Sequence, residues 1–112
     1  MTKNNKYKIY IFFILVSLAL SIILFGPENF RFTNISWISY YDMIGHQVAW
    51  KFFYNDIWHF PLGKNPSYGI DIGSSIVFTE AIPFLSIIFK IFKNFLPDNF
   101  QFFSFWVFLC FF

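Results

Sequence analysis

The sequence predicts an all-α membrane protein, with transmembrane helices and a large, aromatic-rich first external loop that contains a short helix. Two observations support this prediction. Charged residues make up only 12% of the 112 residues and hydrophobic residues make up 57%, whereas a soluble domain has roughly 25% charged residues. Long uncharged apolar runs also recur along the chain. A soluble chain this short needs charge to cover its large wet surface, so the composition favours a lipid environment.

Charge and cysteine content exclude several kinds of site. The formal net charge of +2 is too small to predict nucleic-acid binding, and no basic cluster lies beside aromatic residues as such a site requires. Cys110 is the single cysteine and lies in an apolar run, so neither a disulfide framework nor a cysteine metal site is predicted. We therefore expect the lipid bilayer, and no nucleic acid, as a partner.

The first apolar run, residues 9–26, is predicted to be a transmembrane helix. It carries no charged residue and approaches the ~20 residues that span a bilayer. A cleaved signal peptide is the alternative, but its apolar part is usually ~7–15 residues long and ends in a small-x-small site. This run is longer and ends in Leu24-Phe25-Gly26-Pro27, which contains no such site.

Three lysines set the expected orientation of this helix. Residues 1–8 contain Lys3, Lys6 and Lys8 and no acid, whereas acids and bases are balanced in residues 27–75. The positive-inside rule therefore places the N-terminus in the cytoplasm and residues 27–75 outside it. The expected location is the cell inner (cytoplasmic) membrane, which the chain crosses several times.

The external loop, residues 27–75, is expected to contain one helix and one irregular stretch. A helix is predicted near 39–54, where there is no proline, and its one face carries Asp42 and His46 by i, i+4 spacing. From Pro61 onward, proline and glycine recur too often for a regular helix or a central strand. The loop is dense in aromatic residues, which belong at a membrane–water interface or in a packed subdomain.

Two further apolar runs are predicted to be transmembrane. Residues 76–93 are expected to form the second span, which returns the chain to the cytoplasm through a turn at 94–100. Residues 101–112 are expected to begin a third span that runs outward, and this run is still apolar where the sequence stops, which predicts a longer parent chain. Glu80 and Pro83 interrupt the second run, where the acid would face a water-filled cavity and the proline would kink the helix.

Several motifs after the first span resemble a family of bacterial polytopic membrane proteins of uncharacterised function. The motifs are Asp42 through His46 with Trp50, Trp58-His59-Phe60-Pro61-Leu62-Gly63, Asn65-Pro66-Ser67-Tyr68-Gly69, Ser74 through Glu80 with Ile82-Pro83, and Phe100-Gln101-Phe102-Phe103 with Trp106. That family in turn resembles the GT-C class of membrane glycosyltransferases. Its pattern has a glycine and an aspartate at the positions where this sequence has Tyr41 and Glu80.

The resemblance implies an enzyme that transfers a sugar from a polyprenyl-phosphate-linked donor. In that class an acid in the first external loop acts as general base or metal-assisted activator of the acceptor hydroxyl, and Asp42 holds this position here. Under an aromatic roof the carboxylate would be partly desolvated, which makes it a better base. His46 would support Asp42 by a hydrogen bond or by sharing a divalent metal ion. Further substrate contacts are assigned to Glu80, Trp58, Asn65 and Tyr68.

Simpler interpretations stay open at this point. Asp42 would then only cap the helix that begins near it, with His46 packed on the same face. Glu80 would form a structural ion pair, and the motif from Trp58 to Gly69 would be an architectural turn. At the level of function, the alternative is a non-catalytic polytopic membrane protein, such as a transport or envelope-assembly component.

Overall fold

The computed structural model describes residues 3–39, 42–69, 72–79 and 81–112, with side chains from residue 6 onward. The described part of the chain is mostly helical, as predicted. It divides into two compact units: unit 1 comprises Met1–Asn34 and Gln101–Phe112, and unit 2 comprises Ile35–Phe100.

Unit 1 is built on one long helix, α1, which spans Lys3–Phe25. Its Lys6–Phe25 part is long and apolar enough to cross a membrane, by length and composition. Because no proline or glycine occurs between Lys3 and Phe25, nothing interrupts the helix before Gly26. A short 3-10 turn, Pro27–Phe30, follows it.

The second helix of unit 1, α4, spans Phe103–Phe111 and runs antiparallel to α1. The backbone N–H of Gln101, just before α4, donates to the carbonyl oxygen of Phe32 at 2.7 Å. At the other end of α4, the Ser17 hydroxyl donates to the carbonyl oxygen of Phe111 at 2.8 Å. Helix α4 therefore begins beside the segment that follows α1 and ends halfway back along α1.

This pairing differs from the predicted order of spans. The sequence predicted a second span at 76–93, a cytoplasmic turn at 94–100 and an outward third span from 101. In the structure α4 runs back alongside α1. Residues 35–100, which lie between these two helices in sequence, form a unit of their own. The reason lies in the run 76–93, which supplies only a short helix.

That short helix, α3, spans Pro83–Ile91 in unit 2. Nine residues make a helix of about 13 Å, less than half of the ~30 Å hydrocarbon core of a bilayer. Pro83 suits the first helical turn because its missing N–H would have no partner there. Ile82 just before it has a left-handed φ of 40°, which prevents the helix from starting earlier.

Unit 2 also contains helix α2, Met43–Asn55, in the region where a helix was predicted. Between α2 and α3, the two-residue strands β1, Lys64–Asn65, and β2, Ser74–Ser75, pair antiparallel. This ladder was not predicted, since two residues are too few to show an alternating pattern. A 3-10 turn, Lys93–Phe95, follows α3.

The core of unit 2 lies against the buried face of α2. Trp50 and Phe53 are almost completely buried, and the indole N–H of Trp50 donates to the carbonyl oxygen of Phe100 at 3.1 Å. The hydroxyl of Tyr54 lies 3.3 Å from the carbonyl oxygen of Lys93. Helix α2 thus binds the segment that follows α3, which holds the two helices of the unit together.

Candidate active site

The two ends of α2 carry the polar groups that stand out in unit 2. Asp42 immediately precedes the helix, and Asp56 immediately follows it. The helix between them has 13 residues, so the two acids are separated by roughly 20 Å along its axis. The two carboxylates differ in their exposure and in the hydrogen bonds that they accept.

Asp42 occupies the N-cap position of α2, yet its side chain does not cap the helix. Its backbone is already helical, with φ −64° and ψ −22°, and the carboxylate accepts no bond from the first-turn N–H groups. The side chain is exposed, and it has no hydrogen bond or ion pair to any other residue that the structure describes. Among the described residues the carboxylate therefore has no side-chain partner, and it lies at the helix end whose dipole favours negative charge.

One interpretation of Asp42 is corrected by this geometry. The side chain is exposed among the described residues, and the aromatic roof over it stays a prediction. The simpler interpretation was that Asp42 caps the helix. A capping residue usually has an extended backbone, which brings its side chain onto the N2 or N3 amide. Because Asp42 is helical instead, its side chain points to no first-turn donor.

His46 lies one helical turn after Asp42, is half-buried and is already engaged in an interaction of its own. Among the described residues, no three His, Cys, Asp or Glu side chains come together in a way that could hold a metal ion. Asp42 and His46 alone supply at most two protein ligands, fewer than a structural zinc or calcium site has. A Mg²⁺ ion held by one or two protein ligands with waters and substrate phosphates stays a prediction.

Asp56, at the other end of α2, is held by three donors. One carboxylate oxygen accepts the N–H of Ile57 at 2.8 Å. The other accepts the hydroxyl of Ser67 at 3.0 Å and lies 3.4 Å from Nε2 of His59. Burial acts to raise the pKa of this carboxyl, but the bonds from Ile57, Ser67 and His59 together lower it. Asp56 is therefore an ionised anchor for the loop and a poorer base than an uncommitted carboxylate.

Lys90 of α3 lies near this cluster in an aromatic setting. Its ammonium donates to the carbonyl oxygen of Ile57 at 3.1 Å and lies 4.0 Å from the ring centroid of Phe53 and 4.8 Å from that of Trp58. Burial lowers the pKa of Lys90 to about 8. The charge of Asp56 opposes this shift, and the charge of Lys93 adds to it. The ring faces and the carbonyl stabilise the charged form that burial disfavours.

An open cavity of about 400 Å³ lies beside these groups. It is lined by Asn55, Asp56, Ile57, Trp58, Lys90, Ile91, Lys93 and Asn94. A second cavity of about 330 Å³ adjoins Asp56 from the side of Lys51, Phe52 and Ser67. Asp42 lines neither cavity.

The remaining predicted substrate contacts differ in accessibility. Trp58 is 46% exposed, with its ring edge-on to Phe53, and Tyr68 is half-buried against Phe52. Asn65 is fully buried, and its amide donates to the carbonyl oxygen of Ala49 at 3.5 Å. Because Asn65 has no exposed surface in this structure, its role as a substrate contact stays a prediction. Glu80 lies outside the described residues.

The motif from Trp58 to Gly69 makes the turns that bring these side chains together. Gly63 has φ 93°, and a Cβ added there would lie 3.0 Å from Cγ1 of Ile76. Its carbonyl oxygen accepts the backbone N–H of Ile76 at 2.8 Å. Such a close approach at a positive φ requires glycine, which favours the architectural interpretation of the motif.

Sequence reasoning missed the cluster of Asp56, His59, Ser67 and Lys90. The spacing of Asp56 and His59, three residues apart, is a local signal that was available. The contribution of Ser67 depends on the turns between them, and that of Lys90 on how α3 packs. Neither leaves a trace in the sequence.

Comparison with known proteins places the chain in a family. No curated protein and no solved structure matched it. Residues 14–112, however, match the family model described as domain of unknown function (DUF6311). The match begins within α1 and includes all of unit 2 and α4, so it covers most of the chain and both units. The chain therefore belongs to the DUF6311 family.

Proposed function

We propose that the chain is the N-terminal part of a membrane-embedded glycosyltransferase that uses a lipid-linked sugar donor, with Asp42 as the general base. The observation that supports this proposal most directly is the exposed carboxylate of Asp42 at the start of α2, which makes no side-chain bond to the described residues. It is joined by the resemblance of the motifs around Asp42, Trp58 and Asn65 to proteins similar to the GT-C class.

The membrane location is supported by the surface of unit 1. Apolar side chains are exposed along the whole of α1, from Ile9 to Leu24. A wholly apolar groove of about 240 Å³ lies in the same unit, lined by Ile14, Leu18, Phe30, Phe32, Phe105 and Phe108. Each large apolar side chain left in water forgoes about 1.5–3 kcal/mol. A hydrocarbon environment removes this penalty for the whole surface at once.

The chemistry assigned to Asp42 is a single proton transfer. The acceptor hydroxyl attacks the anomeric carbon of the donor sugar while Asp42 takes the hydroxyl proton. A new C–O bond forms, the bond between the anomeric carbon and the lipid phosphate breaks, and the phosphate leaves with the electron pair. An exposed carboxylate with no bond to the described residues can accept that proton, whereas the bonds from Ile57, Ser67 and His59 lower the pKa of Asp56 and make it a poorer base.

The proposal is tested by replacing Asp42 with Asn in the intact gene product, reconstituted in proteoliposomes with a lipid-linked sugar. Asn keeps the shape and removes the ability to accept a proton. Transfer should fall by about 10²–10⁴, the usual contribution of a positioned acid or base. Because the side chain makes no cap bond, the free energy of unfolding should change by only a few tenths of a kcal/mol.

Asp98→Asn is the matched control, since Asp98 is also an exposed acid of unit 2, and it should leave transfer unchanged. His46→Ala should reduce transfer less than the Asp42 variant does. Turnover at the wild-type rate in Asp42→Asn would contradict the proposal. The non-catalytic alternative, a transport or envelope-assembly component, would then be preferred.

A further inference from the structure

Helix α3 turns both of its polar residues inward and several of its apolar residues outward, although Leu85 is also buried. Ser86 and Lys90 are 0% and 2% exposed, whereas Phe84 and Ile91 are 74% and 63% exposed. A helix on the surface of a water-soluble unit has the opposite arrangement, with its apolar stripe against the core and its charges in water. The polarity of α3 is therefore inverted.

The outward residues form a continuous apolar stripe, which we call the outer stripe. Its helical members recur at the three- and four-residue spacing that places side chains on one face. Phe95 follows in the 3-10 turn after the helix and is 87% exposed. The outer stripe consists of the exposed Phe84, Ile91 and Phe95 and the half-buried Ile87 and Ile88.

Bonds on the inward face fix this orientation. The hydroxyl of Ser86 donates to the carbonyl oxygen of Ala81. The ammonium of Lys90 donates to the carbonyl oxygen of Ile57 and lies over the ring of Phe53. Rotating α3 to bury the outer stripe would break these contacts and separate a buried charge from its partners, which is strongly unfavourable. The exposed apolar face is thus a consequence of how unit 2 is packed.

We propose that the outer stripe lies in the interfacial layer of the membrane that α1 crosses. This inference rests on the membrane location in the proposed function. Unit 2 is joined to unit 1 after Asn34 and before Gln101, and the backbone bond from Gln101 to Phe32 holds these two connections at the same end of the α1–α4 pair. If α1 crosses the bilayer, residues 34 and 101 of unit 1 therefore lie on the same side of it.

The composition of the outer stripe favours lipid over a protein partner. Protein interfaces carry roughly one hydrogen bond per 100–200 Å² and a polar rim, and the outer stripe contains only Phe and Ile side chains, which offer no donor or acceptor. A membrane surface requires no directional bonds. Amphipathic helices bind it by inserting an apolar face about 5–10 Å into the boundary between head groups and acyl chains.

Spin labels can measure this depth in the intact gene product in proteoliposomes. Cys110, an exposed thiol, is first replaced with Ser. Single labels are then attached through Phe84→Cys, Ile91→Cys or Phe95→Cys, and their collisions with oxygen and with a water-soluble nickel complex are compared. Since these side chains are exposed, labels there disturb no packing. Asn55→Cys, on exposed surface of α2, is the matched control, and Ile14→Cys reports on α1.

We expect labels on the outer stripe to lie about 5–10 Å inside the lipid boundary, with Asn55 in water and Ile14 deep in the hydrocarbon. Outer-stripe labels in water, with Ile14 still in lipid, would overturn the inference and leave the membrane location intact. Labels that neither reagent reaches would also overturn it, because a second copy or another protein segment would then cover the stripe. If Ile14 were in water, the membrane location itself would fail. Transfer assays on Asp42 remain an independent measurement in each case.

Discussion

Lys90 shows how strongly its surroundings can change the acid–base properties of one residue. Its ammonium is almost completely buried between two aromatic rings and a carbonyl oxygen. Burial lowers the pKa of Lys90 to about 8, with Asp56 opposing the effect. An unfolded lysine titrates near 10.4. Between these two values the unfolded chain binds a proton that the folded chain does not.

Stability should therefore rise with pH over this interval. The free energy of unfolding increases wherever the unfolded state binds more protons, so it should rise by on the order of 2 kcal/mol between about pH 8 and pH 10. Above about pH 10, Tyr54 acts in the opposite direction, because burial and the charge of Asp98 raise the pKa of its hydroxyl. Denaturant unfolding of the detergent-solubilised protein at a series of pH values measures this profile.

Lys90→Met is the control for that experiment, since methionine fills the same space without a titratable group. The rise between pH 8 and pH 10 should disappear in this variant. An unchanged slope would show that other groups cause it, and a flat wild-type profile would show that Lys90 titrates normally.

Asp42 and Asp56 illustrate why residue type alone does not identify a base. Both acids adjoin α2, one at each end. Asp56 accepts bonds from a backbone amide and a serine hydroxyl and lies beside a histidine, and these stabilise its charged form. Asp42 has no such bonds to the described residues. Position in the chain suggested Asp42 as the acid of interest, and the structure adds that its side chain is exposed among the described residues.

At the scale of elements, local sequence signals predicted α1 and α2 well. An uncharged run and a proline-free stretch are properties of neighbouring residues, and helices follow from them directly. The extent of α3 was not predictable in the same way. Its apolar run suggested a span, but Ile82 adopts a left-handed φ, and the helix begins only at Pro83. The inward position of Lys90 depends on Phe53 and Trp58, which are more than thirty residues away in sequence.

The candidate site was predictable to a similar extent. The location of Asp42 at the beginning of a helix follows from the sequence, but the absence of a cap bond follows only from its backbone angles. The burial of Asn65 and the bond from Ser67 to Asp56 depend on the turns of the Trp58–Gly69 motif. These turns in turn depend on the close approach of Gly63 to Ile76.

That close approach gives a prediction about the motif. Gly63→Ala should destabilise unit 2 more than Gly69→Ala does. Both glycines have a positive φ, 93° and 99°, so both substitutions introduce similar backbone strain. At Gly63 the new Cβ would also lie 3.0 Å from the buried side chain of Ile76, whereas at Gly69 the nearest atoms are 4.0 Å away. The difference should be about 1–3 kcal/mol, as for other overpacked cores.

Denaturant midpoints of the two variants, measured under the same conditions, provide the comparison. Gly69→Ala corrects for strain, so the difference isolates the contact with Ile76. Equal losses would indicate that Ile76 moves away at no cost. The motif would then matter for its backbone angles alone.

At the scale of the whole molecule, the chain consists of a helix pair with unit 2 inserted between its members in sequence. Gln101 bonds to Phe32, and Ser17 bonds to Phe111, so α4 runs back along α1. If α1 leaves the cytoplasm, α4 must return toward it. We therefore predict that residues 35–100 stay on one side of the membrane. The sequence-based prediction differs, because it placed 94–100 in the cytoplasm.

A topology reporter inserted after Asp98 separates these two arrangements. Alkaline phosphatase, which is active only outside the cytoplasm, is inserted into the intact gene product after Phe60 or after Asp98. The lysines at positions 3, 6 and 8 should keep the N-terminus inside, so we expect activity at Phe60 and Asp98. Activity at Phe60 without activity at Asp98 would show that residues 76–93 cross the membrane after all, and that the pairing of α1 with α4 does not persist in the bilayer.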